Sequence, residues 1–176
     1  MNLNGLVWQQ AAAGGGLIIL LQLGAYIWGI DMMLSTWVSV SGFLLVVLAM
    51  VLGTVVVRTN EEGFISFGRA FYHALASAAV ASLMGTGFQM FLTSIVDSDL
   101  ADKLADASMD EIEEKMGALA SQLPGGLDEM RNQVIWAMSP SGQMLSWLLG
   151  LIFWALVALI VAAILKRENP NSLNLG

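Results

Sequence analysis

The sequence predicts an all-α membrane protein: four transmembrane helices with an acidic extramembrane helical hairpin between the third and the fourth. Three observations carry that expectation. Hydrophobic residues make up 57% of the 176 positions and charged residues only 12%, about half the roughly 25% charged share of a soluble domain. Four long runs, at about 6–30, 37–57, 69–96 and 142–165, are almost free of charge, and roughly 20 apolar helical residues cross a hydrocarbon core. Between the last two runs, residues 97–138 hold ten of the fourteen acidic side chains and three of the seven basic ones. The net −7 of that stretch equals the formal charge of the whole chain. The length fits a single membrane domain over 1–176.

The first run has no ionisable side chain before Asp31, and Gln9, Gln10 and Gln22 are its only strongly polar residues. It lacks a basic leader and an Ala-x-Ala cleavage site, so it reads as a retained span rather than a signal peptide. Gly14, Gly15 and Gly16 would each weaken a helix in water by about 1 kcal/mol. In lipid they let a neighbouring helix approach closely. Asp31 to Thr36 reads as a polar turn, with Tyr26, Trp28 and Trp37 as an aromatic belt around it.

The second run, Trp37 to Val57, is rich in Val and Leu and ends at Arg58. It lacks the polar–apolar alternation of a barrel strand, so it reads as a helix. A turn at Asn60-Glu61-Glu62-Gly63 follows. In the third run Ala70, Ala74, Ala78 and Ser82 recur every four residues, with Ser77, Ala81 and Gly85 beside them. Such a small-xxx-small face suits close helix packing. The fourth run repeats the device with Gly142, Ser146, Gly150, Ala158 and Ala162, and Ser139-Pro140 ahead of it has the form of an N-cap with Pro at the first helical position.

Within the acidic stretch Leu100, Leu104, Met109, Ile112, Met116, Leu119 and Leu123 follow helical spacing. Ser108-Met109-Asp110-Glu111 has capping-box form, and Glu111 and Lys115 form an i,i+4 pair. Pro124-Gly125-Gly126 ends this helix. A second helix, Leu127 to about Met138, places Leu127, Met130, Val134 and Met138 on one side. The apolar stripe of the pair needs a cover: its own second arm, the headgroup region, or another subunit. Arg58, Arg69, Lys166 and Arg167 flank the spans at one end, so the positive-inside rule places both termini in the cytoplasm and the acidic lobe outside.

From Gly63 onward the chain resembles the bacterial four-span membrane family known as domain of unknown function 4199. The features that carry the resemblance are Gly63-Phe64-Ile65-Ser66-Phe67-Gly68-Arg69-Ala70, the Asp97-to-Leu104 opening of the acidic stretch, Ser139-Pro140, and the exit Val161-Ala162-Ala163-Ile164-Leu165-Lys166-Arg167. The first two runs match in hydropathy alone. The resemblance implies a bacterial inner-membrane location and brings no activity with it.

The chemistry-bearing residues are few. His73 is the single histidine, one turn into the third run beside Arg69. An intramembrane ionisable group is a functional hypothesis by default, but near a span end a hydrogen-bonded neutral imidazole is the plainer reading. One His without any Cys leaves no conventional zinc set. Ser41 and His73 differ by roughly 18 Å in height, too far for a catalytic pair. Gln22, Gln89, Thr86 and Thr93 would line a polar pathway or, more plainly, bond one helix to another. No carboxylate sits at mid-membrane, which disfavours an ion pump. Asp97 and Asp99 lack the remaining spacing of a calcium loop. Seven scattered bases exclude a nucleic-acid surface.

The expectation is therefore a non-enzymatic protein with no cofactor and no metal, with the lipid bilayer as its surroundings. It would act by helix association as a homo-oligomer or as an accessory subunit among other membrane subunits. The alternative is a small-solute channel or transporter. The packing residues would be Gly14, Gly15, Gly16, Ala74, Ala78, Ser82, Gly85, Gly142, Ser146 and Gly150, and the polar site His73, Arg69, Gln22 and Gln89.

Overall fold

The structure, a computed structural model, describes residues 3–117 and 126–167. The described residues form helices α1 (Leu3–Trp28), α2 (Ile30–Leu34), α3 (Thr36–Asn60), α4 (Phe67–Phe91), α5 (Leu100–Met116), α6 (Gly126–Met138) and α7 (Pro140–Leu165). A five-residue π-helical turn, Leu92–Val96, continues α4. Among the described residues four segments are long and apolar enough to cross a membrane: Val7–Trp28, Thr36–Asn60, Phe67–Val96 and Pro140–Leu165. At 1.5 Å per residue each is at least as long as a roughly 30 Å hydrocarbon core is thick. This is a multi-pass membrane protein.

Local chemistry sets the boundaries. Gly29 stops α1 because its φ of +117° lies where L side chains rarely go. The segment expected to be a plain turn, Asp31 to Thr36, instead contains the short helix α2. Ser35 then caps α3, accepting from the Val38 N–H at 3.4 Å, and Ser139 caps α7, accepting from the Gly142 N–H at 3.1 Å with Pro140 behind it. The Ser108 capping box is not used. Helix α5 runs straight through it, and the Ser108 hydroxyl donates to the Leu104 carbonyl. The expected features at Leu119, Leu123, Pro124 and Gly125 lie outside the described residues.

Helix α4 forms the centre, packed against α1, α3 and α7. α1 also lies along α3, and α7 touches α3 over a much shorter stretch. The central layer is Ile18, Val46, Ala49, Met50, Ala74, Ala78, Ala81, Ala158 and Val161. A second apolar cluster, Val7, Val57, Ile65, Ala70 and Ala162, closes the end that carries Arg58, Arg69 and Arg167. That end is clasped by a reciprocal pair of backbone bonds between Ile65 and Arg167, both 2.9 Å, and the Arg167 guanidinium lies over the Phe64 ring.

At the opposite end Leu92, Leu100 and Leu104 pack with Tyr26, Ile30, Met33, Leu34, Phe88 and Met138. The apolar stripe of the acidic stretch is thus covered by its own second arm, α6, which lies along α5 more extensively than any other element, and beside it by the end of the bundle, a further cover that was not anticipated. Met116, expected on that stripe, is exposed.

The small residues of α4 face inward. Ala74, Ala78 and Ala81 are fully buried, and a Cβ on Gly85 would sit 2.8 Å from Ile18 Cγ2. A Cβ on Gly14 would sit 2.7 Å from the Ala49 Cβ, and one on Gly15 would meet Met84, whereas one on Gly16 would meet nothing within 4 Å. Helix α1 therefore rests on α3 and α4 through two of its three successive glycines. Gly14→Leu is expected to lower stability in detergent by about 1–3 kcal/mol through overpacking, while Gly16→Leu leaves it unchanged; thermal melts of the two variants beside the parent chain check this.

Candidate functional site

Because α7 leans on α4 and stands off α3 at the acidic end, a cleft opens between the three helices. One chamber of about 530 Å3 is lined by Gln22, Ser82, Thr86, Gln89, Gln143, Ser146 and Trp147 together with apolar neighbours. A second, of about 280 Å3, extends between α1, α2 and α3 beneath Leu104. Ile18, Gln22, Gly42, Gln89 and Met138 line both, so the two are parts of one recess. Among the described residues no ionisable side chain lines either. Phe43 stacks on Trp154 at 5.6 Å between ring centroids where α3 and α7 come together, and α6 contributes Ala137 and Met138 at the acidic end.

The polar lining is partly wired. The Ser82 hydroxyl donates to the Ala78 carbonyl at 2.7 Å and accepts from Trp147 Nε1 at 3.1 Å, which ties α7 to α4. The Thr93 hydroxyl, in the π-helical turn, donates to the Gln89 carbonyl and accepts from Gln143 Nε2 at 3.1 Å. Gln143 Nε2 also donates to the Met138 carbonyl at 2.6 Å. Gln143 Oε1 and Gln22 Oε1 are buried and receive no hydrogen bond. A π-turn inside an α-helix commonly marks a functional position, and here it presents Thr93 to Gln143.

The structure divides the residues singled out in the sequence. Gln22 and Gln89 meet in the cleft. His73 and Arg69 lie at the other end of α4, His73 about 24 Å from Gln89 along the axis. His73 is buried edge-on to Tyr72 and lines a small cavity of about 80 Å3 with Val7, Trp8 and Ala76. Arg69 pairs with Glu61 on the surface. The two halves of the expected polar site are thus separate, with the dry central layer between them.

The packing set divides too. Ala74, Ala78 and Gly85 are used inside the bundle. Gly142 serves a different contact, because a Cβ there would run into the Trp136 carbonyl and lie 2.9 Å from Ala137 Cα; it lets the end of α6 rest on the first turn of α7. Ser146 is exposed, and a Cβ on Gly150 would meet nothing within 4 Å; both line the cleft. Sequence reasoning missed Gln143, which it took for the start of the fourth span. The available signal was an amide at the same depth from the acidic stretch as Thr93.

Outside the bundle α6 is tied to α5 by Arg131, whose Nε donates to Asp106 at 2.5 Å and Nη2 to Asp102 at 2.9 Å. Lys103 pairs with Asp97 at 2.8 Å, and Lys115 with Glu111. The hydrogen bonds to Asp106 and then Asp102 push the Arg131 guanidinium above its ordinary value, and the bond to Asp97 raises the Lys103 amine. A raised base contributes fully below its ordinary value and loses that contribution only as the pH climbs through the raised one. Both ties therefore hold on the basic side of neutrality. A recess of about 520 Å3 between α2 and α5 gathers Asp31, Asp110, Glu111 and Glu114. Among the described residues no group of three or more His, Cys, Asp or Glu is placed to hold a metal ion.

The family profile described as "Protein of unknown function (DUF4199)" matches residues 10–167. The match takes in the first two spans, where the sequence offered likeness in hydropathy alone. No curated protein and no solved structure matches the chain. Two of the sequence features that carried the likeness, Gly63–Ala70 and Val161–Arg167, meet in the Ile65–Arg167 clasp.

Arg131→Gln removes the side chain that joins α6 to Asp102 and Asp106. Amide hydrogen exchange in α6 should quicken at pH 7 while that of α7 stays as it was; unchanged exchange in α6 would show that the ion pairs do not hold it.

Proposed function

The chain belongs to the DUF4199 family, whose description names no activity, and we propose from the geometry that it is a non-enzymatic protein of the bacterial inner membrane acting by association within the bilayer. The cleft between α3, α4 and α7 is the seat for a second membrane-embedded molecule. The observation that carries this reading is a polar-walled recess whose side opens between two lipid-facing helices, with Gly42, Ser146 and Gly150 along the opening. The small faces of α1 and α4 are occupied inside the bundle. Association with a second copy or with another subunit would therefore use the α3–α7 side.

The orientation proposed places both termini in the cytoplasm and α5 and α6 as an acidic helical hairpin in the periplasm. Arg58, Arg69, Lys166 and Arg167 gather at one end of the bundle and support it through the positive-inside rule. The second reading, a small-solute channel or transporter, draws on the Gln22, Thr86 and Gln89 lining. Against it, the central layer from Ile18 to Val161 is apolar and close-packed beneath the recess, so the cleft is blind.

The chain contains no cysteine, so single introduced thiols report cleanly. Asp110→Cys is expected to react with an impermeant maleimide added to intact spheroplasts, and Glu62→Cys only after lysis; the reverse pattern inverts the orientation. Thr86→Cys should stay unmodified by the same reagent supplied from the cytoplasmic side, and its modification there would favour the channel. A photo-crosslinking residue at Ser146 should capture a second molecule in native membranes above the background at the lipid-facing Leu156; equal capture at both positions refutes the seat.

A further inference from the structure

The chemistry of the recess specifies its guest more narrowly. The opening faces hydrocarbon: Leu145 and Leu149 on α7, both exposed, flank Ser146 and Gly150. At that opening the backbone is bare, since a Cβ on Gly150 would touch nothing and one on Gly42 would find only Leu21 at 4.0 Å. An apolar chain can therefore lie between α3 and α7 without leaving the hydrocarbon layer.

Further in, the two lining atoms that are buried and unmatched, Gln143 Oε1 and Gln22 Oε1, are both acceptors. Gln143 is 6% exposed, and its amide nitrogen is committed to Thr93 Oγ1 and the Met138 carbonyl, so the oxygen is the end left for a guest. A buried carbonyl without a donor is costly in an apolar setting. The group that satisfies it is a hydroxyl or an amide N–H. A phosphate would bring only acceptors and a charge, and no Lys or Arg lines the recess to meet it. An ammonium would be equally unpaired, because no carboxylate lines it either.

Resting on the reading of the cleft as a seat, we infer that its guest is an uncharged lipid whose head carries hydroxyl or amide donors. The head bonds Gln143 and Gln22, and the tail leaves between α3 and α7 beside Ser146 and Gly150. The π-helical turn at Leu92–Val96 serves this site by holding Thr93 against the Gln143 amide nitrogen, which turns that side chain's oxygen over to the guest. The recess lies at the acidic end, so the lipid comes from the leaflet next to α5 and α6.

The test is native mass spectrometry of the full chain released from phosphatidylcholine nanodiscs doped with diacylglycerol or, in parallel, with the same diacylglycerol O-methylated at its free hydroxyl. The expected result is a retained diacylglycerol adduct. Retention should fall about fivefold when one hydrogen bond is lost, whether by methylation of the lipid, in Gln143→Leu or in Gln22→Leu. Gly150→Trp, which fills the opening, should abolish it. Gln22→Leu guards against misfolding in Gln143→Leu, because Gln22 has no protein partner for its oxygen. Equal retention of the two lipids overturns the inference. Retention of a second polypeptide at Ser146 and Gly150 in place of lipid also overturns it, while leaving the seat reading standing. No adduct of any kind, with no effect of Gly150→Trp, defeats both.

Discussion

The close packing of α4 is the constraint from which the rest of the architecture follows. In lipid there is little hydrophobic gain from bringing two helices together, so association depends on how near the backbones come. Ala74, Ala78 and Ala81 are fully buried, and Gly85 accepts Ile18. α4 can therefore touch α1, α3 and α7 at once. The cost is that α7 follows α4 rather than α3. Below the Phe43–Trp154 stack, α3 and α7 are joined by the central layer; above it they diverge.

That divergence explains where the polar residues sit. In the dry half of the bundle the buried hydroxyl of Thr54 bonds within its own helix, donating to the Met50 carbonyl. In the open half Ser82, Thr93 and Gln143 bond between helices, and two amide oxygens are left over. Polar groups in a membrane interior are expensive unless matched. The Ser77 hydroxyl is also buried without a partner in the other half, but it lines none of the recess; the two amide oxygens do, and that sets the acidic end apart as the place where a guest's chemistry counts. His73, the one imidazole, lies in the other half, where it packs beside Tyr72 and Trp8.

Much of this was legible beforehand. Four uncharged runs without a barrel strand's alternation demanded four helices, because lipid leaves only a helix or a closed barrel to satisfy the backbone, and Ser139-Pro140 marked the start of α7 within one residue. The four-residue spacing of Ala70, Ala74 and Ala78 marked a packing face. What composition could not say is whether that face is used inside the chain or between chains, since the same spacing serves either. Only the positions of α1 and α7 decide it. The cleft was half visible, through Gln22 and Gln89. Gln143 was hidden because an amide in the first turn of a span reads as an interfacial residue, and its burial depends on the π-helical turn that swings Thr93 toward it. The second arm, α6, was among the covers expected for the acidic stripe; the share taken by the bundle end was missed because α2, which helps form it, lies in five residues that looked like a turn.

The most direct measurement of the account is a density map of the protein in a lipid nanodisc at a resolution that shows side chains. The account predicts α7 parted from α3 above the Phe43–Trp154 stack, with elongated density running from Gln143 out past Gly150. A map in which α7 lies flush along α3 over its whole length, with Gln143 paired only to protein, would contradict it.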